Sequence, residues 1–300
     1  MPFDAFRSAL SSAVSSSPES PGSSAPVAIF DSGLGGLSVL RAVRAALPDE
    51  RLIYVADSLY APYGERDDDF IADRTLAIGE WLVSQGAKTL VVACNTATAQ
   101  SIAQTRERLA VPVIGVEPGI KPAALTSQTR VVGVLATAVT LRSARFQALA
   151  ERHTGDCEFI LQPGHGLVQA VERCDTNSPE LVALLRSYVQ PMLDANADTL
   201  VLGCTHYPFL DEAIRSIAGN RLTLIDTSVA IARQLERQLD SFGLRAAPAQ
   251  AQAIELPRFY STNDGQALRQ LAASLLGLDV AVEHVVIPSR RTLALESDPV

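Results

Sequence analysis

One segment of the chain returns 110 residues later, with Cys94 matched to Cys204. Trp81-Leu-Val-Ser-Gln-Gly-Ala-Lys-Thr-Leu-Val-Val-Ala-Cys94 recurs as Pro191-Met-Leu-Asp-Ala-Asn-Ala-Asp-Thr-Leu-Val-Leu-Gly-Cys204. In each copy a helix end leads into Thr-Leu-Val, a buried strand, a small residue, a cysteine and a polar turn containing Thr. Burial explains the Val and Leu, which any α/β core uses. It does not require the matched Thr, the small residue or the Cys. The chain is therefore expected to contain two halves of one architecture.

The rest of the pattern fits that expectation. Short apolar runs at Val27–Phe30, Leu52–Val55, Leu90–Ala93, Val113–Val116, Val131–Leu135, Leu200–Leu202 and Leu222–Ile225 read as strands. Between them, Phe70–Gln85, Leu141–Glu151, Pro179–Ala195 and Val229–Phe242 carry the spacing of amphipathic helices. Such alternation predicts an α/β fold: two pseudo-symmetric domains, each a mostly parallel sheet flanked by helices, with the active site between them. The 300 residues, 47% of them apolar, suffice for two such units. Residues 1–25, rich in Ser, Pro and Gly, read as a disordered tail, and residues 286–300 as a C-terminal tail.

In open parallel sheets, ligands bind outside the carboxyl ends of the strands. Both cysteines fall there, so two facing halves would bring two thiols onto one cleft from opposite sides. Inverting a chiral α-carbon requires a base on one face and an acid on the other. A thiol titrates close enough to neutrality to serve as either. After Cys94, the turn Asn95-Thr96-Ala97-Thr98 opens a helix, with Asn95 or Thr96 expected as its cap. That helix N-terminus would favour a thiolate or a substrate carboxylate. After Cys204 comes Thr205-His206-Tyr207-Pro208, placing His206 where it can assist proton transfer. Asp31-Ser32-Gly33-Leu34-Gly35-Gly36 lacks the dinucleotide fingerprint because Ser38 stands at its last position, and reads instead as an anion- or carboxylate-positioning turn.

Composition narrows the remaining classes. The formal net charge of -8 argues against nucleic acid as a partner. No stretch has the length of a membrane span, and the N-terminal segment carries Asp4 and Arg7 in place of a signal peptide's apolar core. Four scattered cysteines fit a reducing cytoplasm rather than a disulfide framework. Cys157 and Cys174 read as small buried hydrophobes. No compact His or Cys cluster completes a metal site around His206. The only lysines, Lys88 and Lys121, lack a Schiff-base context, so no cofactor is expected. Asp67-Asp68-Asp69 reads as a helix start, and Tyr63 as either core or pocket wall.

Ile29-Phe-Asp-Ser-Gly-Leu-Gly-Gly-Leu-Ser38, Pro62-Tyr63-Gly64, Ala93-Cys-Asn-Thr-Ala97 and Gly203-Cys-Thr-His-Tyr-Pro208 together resemble the glutamate racemase family. The resemblance runs from about Val27 to Val282. It implies cofactor-independent interconversion of L- and D-glutamate, supplying D-glutamate for peptidoglycan, with Cys94 and Cys204 catalytic and Asp31 and His206 assisting them. It further implies that Asp31, Ser32, Pro62, Tyr63, Gly64, Asn95, Thr96, Thr205 and His206 line the substrate pocket, and it puts Glu172 near the cleft. By the same resemblance, residues 26–118 and 229–285 form the first domain and 119–228 the second. The substrate would be a small molecule, glutamate, with aspartate, broad-specificity racemisation or non-catalytic amino-acid binding as the alternatives. The oligomeric state stays open, a homodimer included.

Overall fold

The computed structural model describes residues 22–153, 155, 157–248 and 255–289. Most of the two segments read as tails, residues 1–21 and 290–300, lies outside these. Among the described residues there are ten strands in two sheets, every pairing parallel. The first contains β1 (Val27–Asp31), β2 (Leu52–Ala56), β3 (Thr89–Val92), β4 (Val113–Gly115), β9 (Arg258–Ser261) and β10 (Val282–His284), in the order β10-β9-β2-β1-β3-β4. The second contains β5 (Val131–Ala136), β6 (Glu158–Pro163), β7 (Thr199–Gly203) and β8 (Thr223–Ile225), in the order β6-β5-β7-β8.

The order β2-β1-β3-β4 is reproduced by β6-β5-β7-β8. Thr89 of β3 pairs with Val27, and Thr199 of β7 with Val132, so the repeated Thr sits at one register position in both sheets. The repeat is thus a duplication of topology, and each matched cysteine follows an interior strand.

Both faces of the first sheet are covered, which explains strands apolar throughout. Ile29, Tyr54 and Val91 face a core closed by Leu40, Leu235 and Leu268. Phe30, Ile53 and Val55 face the opposite core, closed by Ile71, Ile78 and Ile102. In the second sheet, Leu135, Leu200 and Leu202 pack with Leu185, Val189 and Ile214, while Val132, Val134 and Val201 pack with Ile120 and Phe146.

Several readings shift. The predicted helix over Leu141–Glu151 is two helices, Ala138–Arg142 and Ala144–Glu151, because Ser143 turns extended between them and its Oγ accepts from Phe146 N at 3.1 Å. The acidic run does start a helix as expected: Asp67 caps Asp68–Ser84, accepting from Phe70 N at 2.7 Å. Cys157 is buried, but Cys174 is exposed, held at φ 59° beyond the end of the Leu167–Glu172 helix. Leu276 ends the last helix, and after β10 the chain continues into a packed segment in which Ile287 is buried and its carbonyl accepts from Arg74 Nη1.

Candidate active site

Cys94 leaves β3 and becomes the N-cap of the Asn95–Arg108 helix itself, its Sγ accepting from Ala97 N at 3.5 Å. The cap is therefore the thiol rather than Asn95 or Thr96. Ser32 Oγ lies 3.2 Å from the same sulfur. Burial pushes the Cys94 thiol up to about 12, the Asp31 charge adds to the rise, and the bonds from Ser32 and Ala97 oppose it.

Cys204 leaves β7 and is equally buried. Its Sγ lies 3.6 Å from His206 Nδ1, while His206 Nε2 donates to Glu172 Oε1 at 2.6 Å. Burial disfavours the imidazolium, yet the bonds to Cys204 and Glu172 outweigh it and hold His206 well above its ordinary pKa. The imidazole is thus oriented by a carboxylate on one nitrogen and directed at a thiol with the other.

The turn after β1 joins the two sheets. Asp31 accepts from Gly33 N at 2.7 Å through one oxygen and from Thr205 Oγ1 at 2.9 Å through the other. Leu34 N donates to Glu172 Oε1 at 2.7 Å, and Ser38 Oγ to the Thr205 carbonyl at 3.2 Å. Close approach favours glycine here: a Cβ on Gly35 would lie 2.5 Å from His206 Nδ1 and from Thr205 Oγ1, and one on Gly33 would displace the Glu172 carboxylate.

Asp31 is fully buried, and burial raises its carboxyl pKa to about 6, with His206 the main opposing influence. Between the ordinary value of 3.8 and about 6 the folded state keeps a proton that the unfolded state has released. Stability therefore falls as pH rises through that window, by ~3 kcal/mol at 1.36 kcal/mol per pKa unit. Thermal unfolding of Asp31→Asn should show this as a melting temperature that gains on wild type between pH 4 and pH 7. A constant difference between the two proteins across that range would contradict it.

A second contact crosses the cleft. Thr96 Oγ1 lies 2.9 Å from Thr137 Oγ1 and 3.4 Å from Thr140 Oγ1, and Gly64 backs onto Thr137. Thr137 follows β5 much as Ser32 follows β1, so the sheet order that relates the halves was the signal for it. Pro62 and Glu172 line a cavity of about 310 Å³ together with Ser58, Ser261 and Asp264. Tyr63 and Asn95 each hold a further polar contact. Tyr63 is buried with its hydroxyl donating to Asp57 at 2.5 Å, and Asn95 Nδ2 donates to the Val116 carbonyl at 3.4 Å.

Lys88 sits at the amino end of β3, away from Cys94, and pairs with Glu50 at 2.6 Å. Among the described residues no three His, Cys, Asp or Glu side chains converge to hold a metal ion, and no helix is long and apolar enough to cross a membrane.

The geometry has counterparts in known proteins. A profile described as Asp/Glu/Hydantoin racemase matches residues 37–235. The chain belongs to the Asp/Glu/Hydantoin racemase family. Within it, a glutamate racemase of Ralstonia pickettii is 62% identical over 253 residues, which is 84% of this chain and 88% of the relative. The crystal structure of the Francisella tularensis glutamate racemase in complex with D-glutamate superposes with a TM-score of 0.77 at 28% identity, over 88% of this chain and 98% of that one. The Escherichia coli enzyme, in complex with L-glutamate and the activator UDP-MurNAc-ala, also gives 0.77, at 31% identity over 88% of this chain and 100% of that one. The stretch matched by the racemase profile contains both cysteine turns, Thr137 and Glu172, while Asp31 and Ser32 precede it.

Proposed function

We propose that this racemase interconverts L- and D-glutamate without a cofactor, with Cys94 and Cys204 as its two bases. The observation that carries the reading is the equivalence of the two thiols. Each follows the matching interior strand of a duplicated sheet, and Asp31 and Thr205 bond across the space between their turns.

One thiolate takes the α-proton from one face, the opposite thiol delivers a proton to the other face, and the two sulfurs end with their protonation states exchanged. Raised to about 12 by burial, the Cys94 thiol by itself is no base at neutral pH. The substrate changes that. An α-ammonium ~4 Å from the sulfur is worth ~4 kcal/mol at an effective dielectric of ~20, equivalent to ~3 pKa units. The site thus activates Cys94 only when an amino acid is present. At Cys204, His206 Nδ1 lies 3.6 Å from the sulfur while Glu172 holds its Nε2, so the imidazole is placed to pass a proton to or from that thiol. Thr96, Thr205 and Ser32 supply hydroxyls, and the Asn95–Arg108 helix start supplies N–H groups for carboxylates.

The names and ligands of the relatives favour glutamate. Aspartate differs by one methylene, worth only ~1–3 kcal/mol in discrimination, so initial rates on both L-amino acids measure the preference. Metal-free, cofactor-free protein in D₂O should drive the ellipticity of L-glutamate to zero while deuterium enters the α-position. Binding of glutamate with neither change would make the chain a non-catalytic amino-acid-binding protein and end the reading. Supply of D-glutamate for peptidoglycan, from the cytoplasm, is the role that follows; assembly as a homodimer is a separate proposal, read by sedimentation.

A further inference from the structure

The turn that carries Asp31 and Ser32 contains three glycines, Gly33, Gly35 and Gly36, and has little side chain of its own to hold it. Glycine leaves a backbone free to wander unless something outside fixes it. Glu172 and Thr205 hold it from the side of the second sheet; from its own sheet the group that does so is Tyr54. This residue lies in β2 opposite Ile29 of β1, two residues before Asp31, and its ring packs against Phe259 with centroids 5.7 Å apart. A phenylalanine would fill that space as well. The hydroxyl is the anomaly, because it is fully buried in an otherwise apolar strand face, where an unbonded polar group is costly. It is not unbonded: it donates to the Gly33 carbonyl at 2.9 Å. One oxygen therefore ties the glycine turn to the sheet.

We infer that Tyr54 is a positioning residue for racemisation, its hydroxyl anchoring the Gly33 carbonyl so that the turn holds Ser32 against Cys94 and Asp31 against Thr205. The inference rests on the reading of this cleft as the racemisation site. Tyr54 touches neither thiol. It acts through the turn, where a misplacement of ~1 Å costs as much as ~100-fold in rate. Its ring belongs to the core in any case, so the hydroxyl alone bears the role.

Tyr54→Phe removes that oxygen and keeps the ring. Its kcat for glutamate should fall about 10-fold, with KM within about 2-fold of wild type, since the loss is in aligning the proton-transfer groups. Phe259→Leu is the control: it loosens the same core beside the same ring and leaves the hydroxyl's bond to Gly33, so its melting temperature should fall while kcat stays within about 2-fold. A wild-type kcat in Tyr54→Phe, or an equal loss of kcat in Phe259→Leu, overturns the inference. Absence of racemisation in the wild type would instead sink the functional reading, so the two failures are told apart.

Discussion

Cys94→Ala and Cys204→Ala should each lower glutamate racemisation by ~10³-fold or more, because each removes the acid or base of one face and leaves the other intact. The diagnostic result is what survives. With Cys204 alone, a proton can leave and return on the same face, so one enantiomer exchanges its α-proton with solvent without inverting. With Cys94 alone, the same holds for the other enantiomer. Proton exchange followed by NMR in D₂O should therefore give complementary single-enantiomer washout in the two variants. Racemisation at the wild-type rate in both would refute the two-thiol mechanism. The magnitude is large because no other buried thiol is placed to substitute: Cys157 hydrogen-bonds the Ala124 carbonyl, and Cys174 is exposed beyond the Leu167–Glu172 helix.

The cysteines were legible in the sequence because they combine two independent signals, strand burial and a repeated non-core residue. Neither signal exists for β6 or β10. Glu158–Pro163 is nowhere fully buried, Val282–His284 is largely exposed, and both lie at sheet edges, where one strand face and one row of backbone groups need no apolar run. The break at Ser143 was hidden because the apolar spacing continues across it, and only the cap geometry reveals two helices. Asp31, Ser32, Thr205 and His206 were found from motifs, and the structure joins Ser32 to Cys94 across 62 residues of sequence and Thr205 to Asp31 across 174. Thr137, Tyr54 and Arg74 were missed for a related reason. Their significance depends on which strands and segments become neighbours, and Arg74 meets Ile287 across 213 residues.

Arg74→Met should destabilise the protein by ~3–5 kcal/mol, the usual cost of stranding one member of a buried ion pair. The pair is completely buried. Arg74 Nη2 lies 2.6 Å from Asp57 Oδ1 and Nε donates to Oδ2 at 3.1 Å, a two-pronged contact with the guanidinium 4.4 Å from the centre of the Tyr60 ring. Removing the arginine leaves the Asp57 carboxylate without its cation and the Ile287 carbonyl without its donor. Against a typical total of ~5–15 kcal/mol, that is a large share, and at ~2–4 °C per kcal/mol the melting temperature should drop by about 10 °C. Asp57→Leu combined with Arg74→Met removes both charges together and should be more stable than Arg74→Met alone, because no buried charge remains to be solvated. Recovery should stop short of wild type, since the Tyr63 hydroxyl loses Asp57 as its acceptor in either protein lacking that carboxylate. Denaturant unfolding of wild type, Asp57→Leu, Arg74→Met and the double variant gives the coupling directly. A cost below ~1 kcal/mol for Arg74→Met would show that water reaches the pair, and the wall formed by Tyr60, Tyr63 and the Ile287 segment would then owe its position to apolar packing alone.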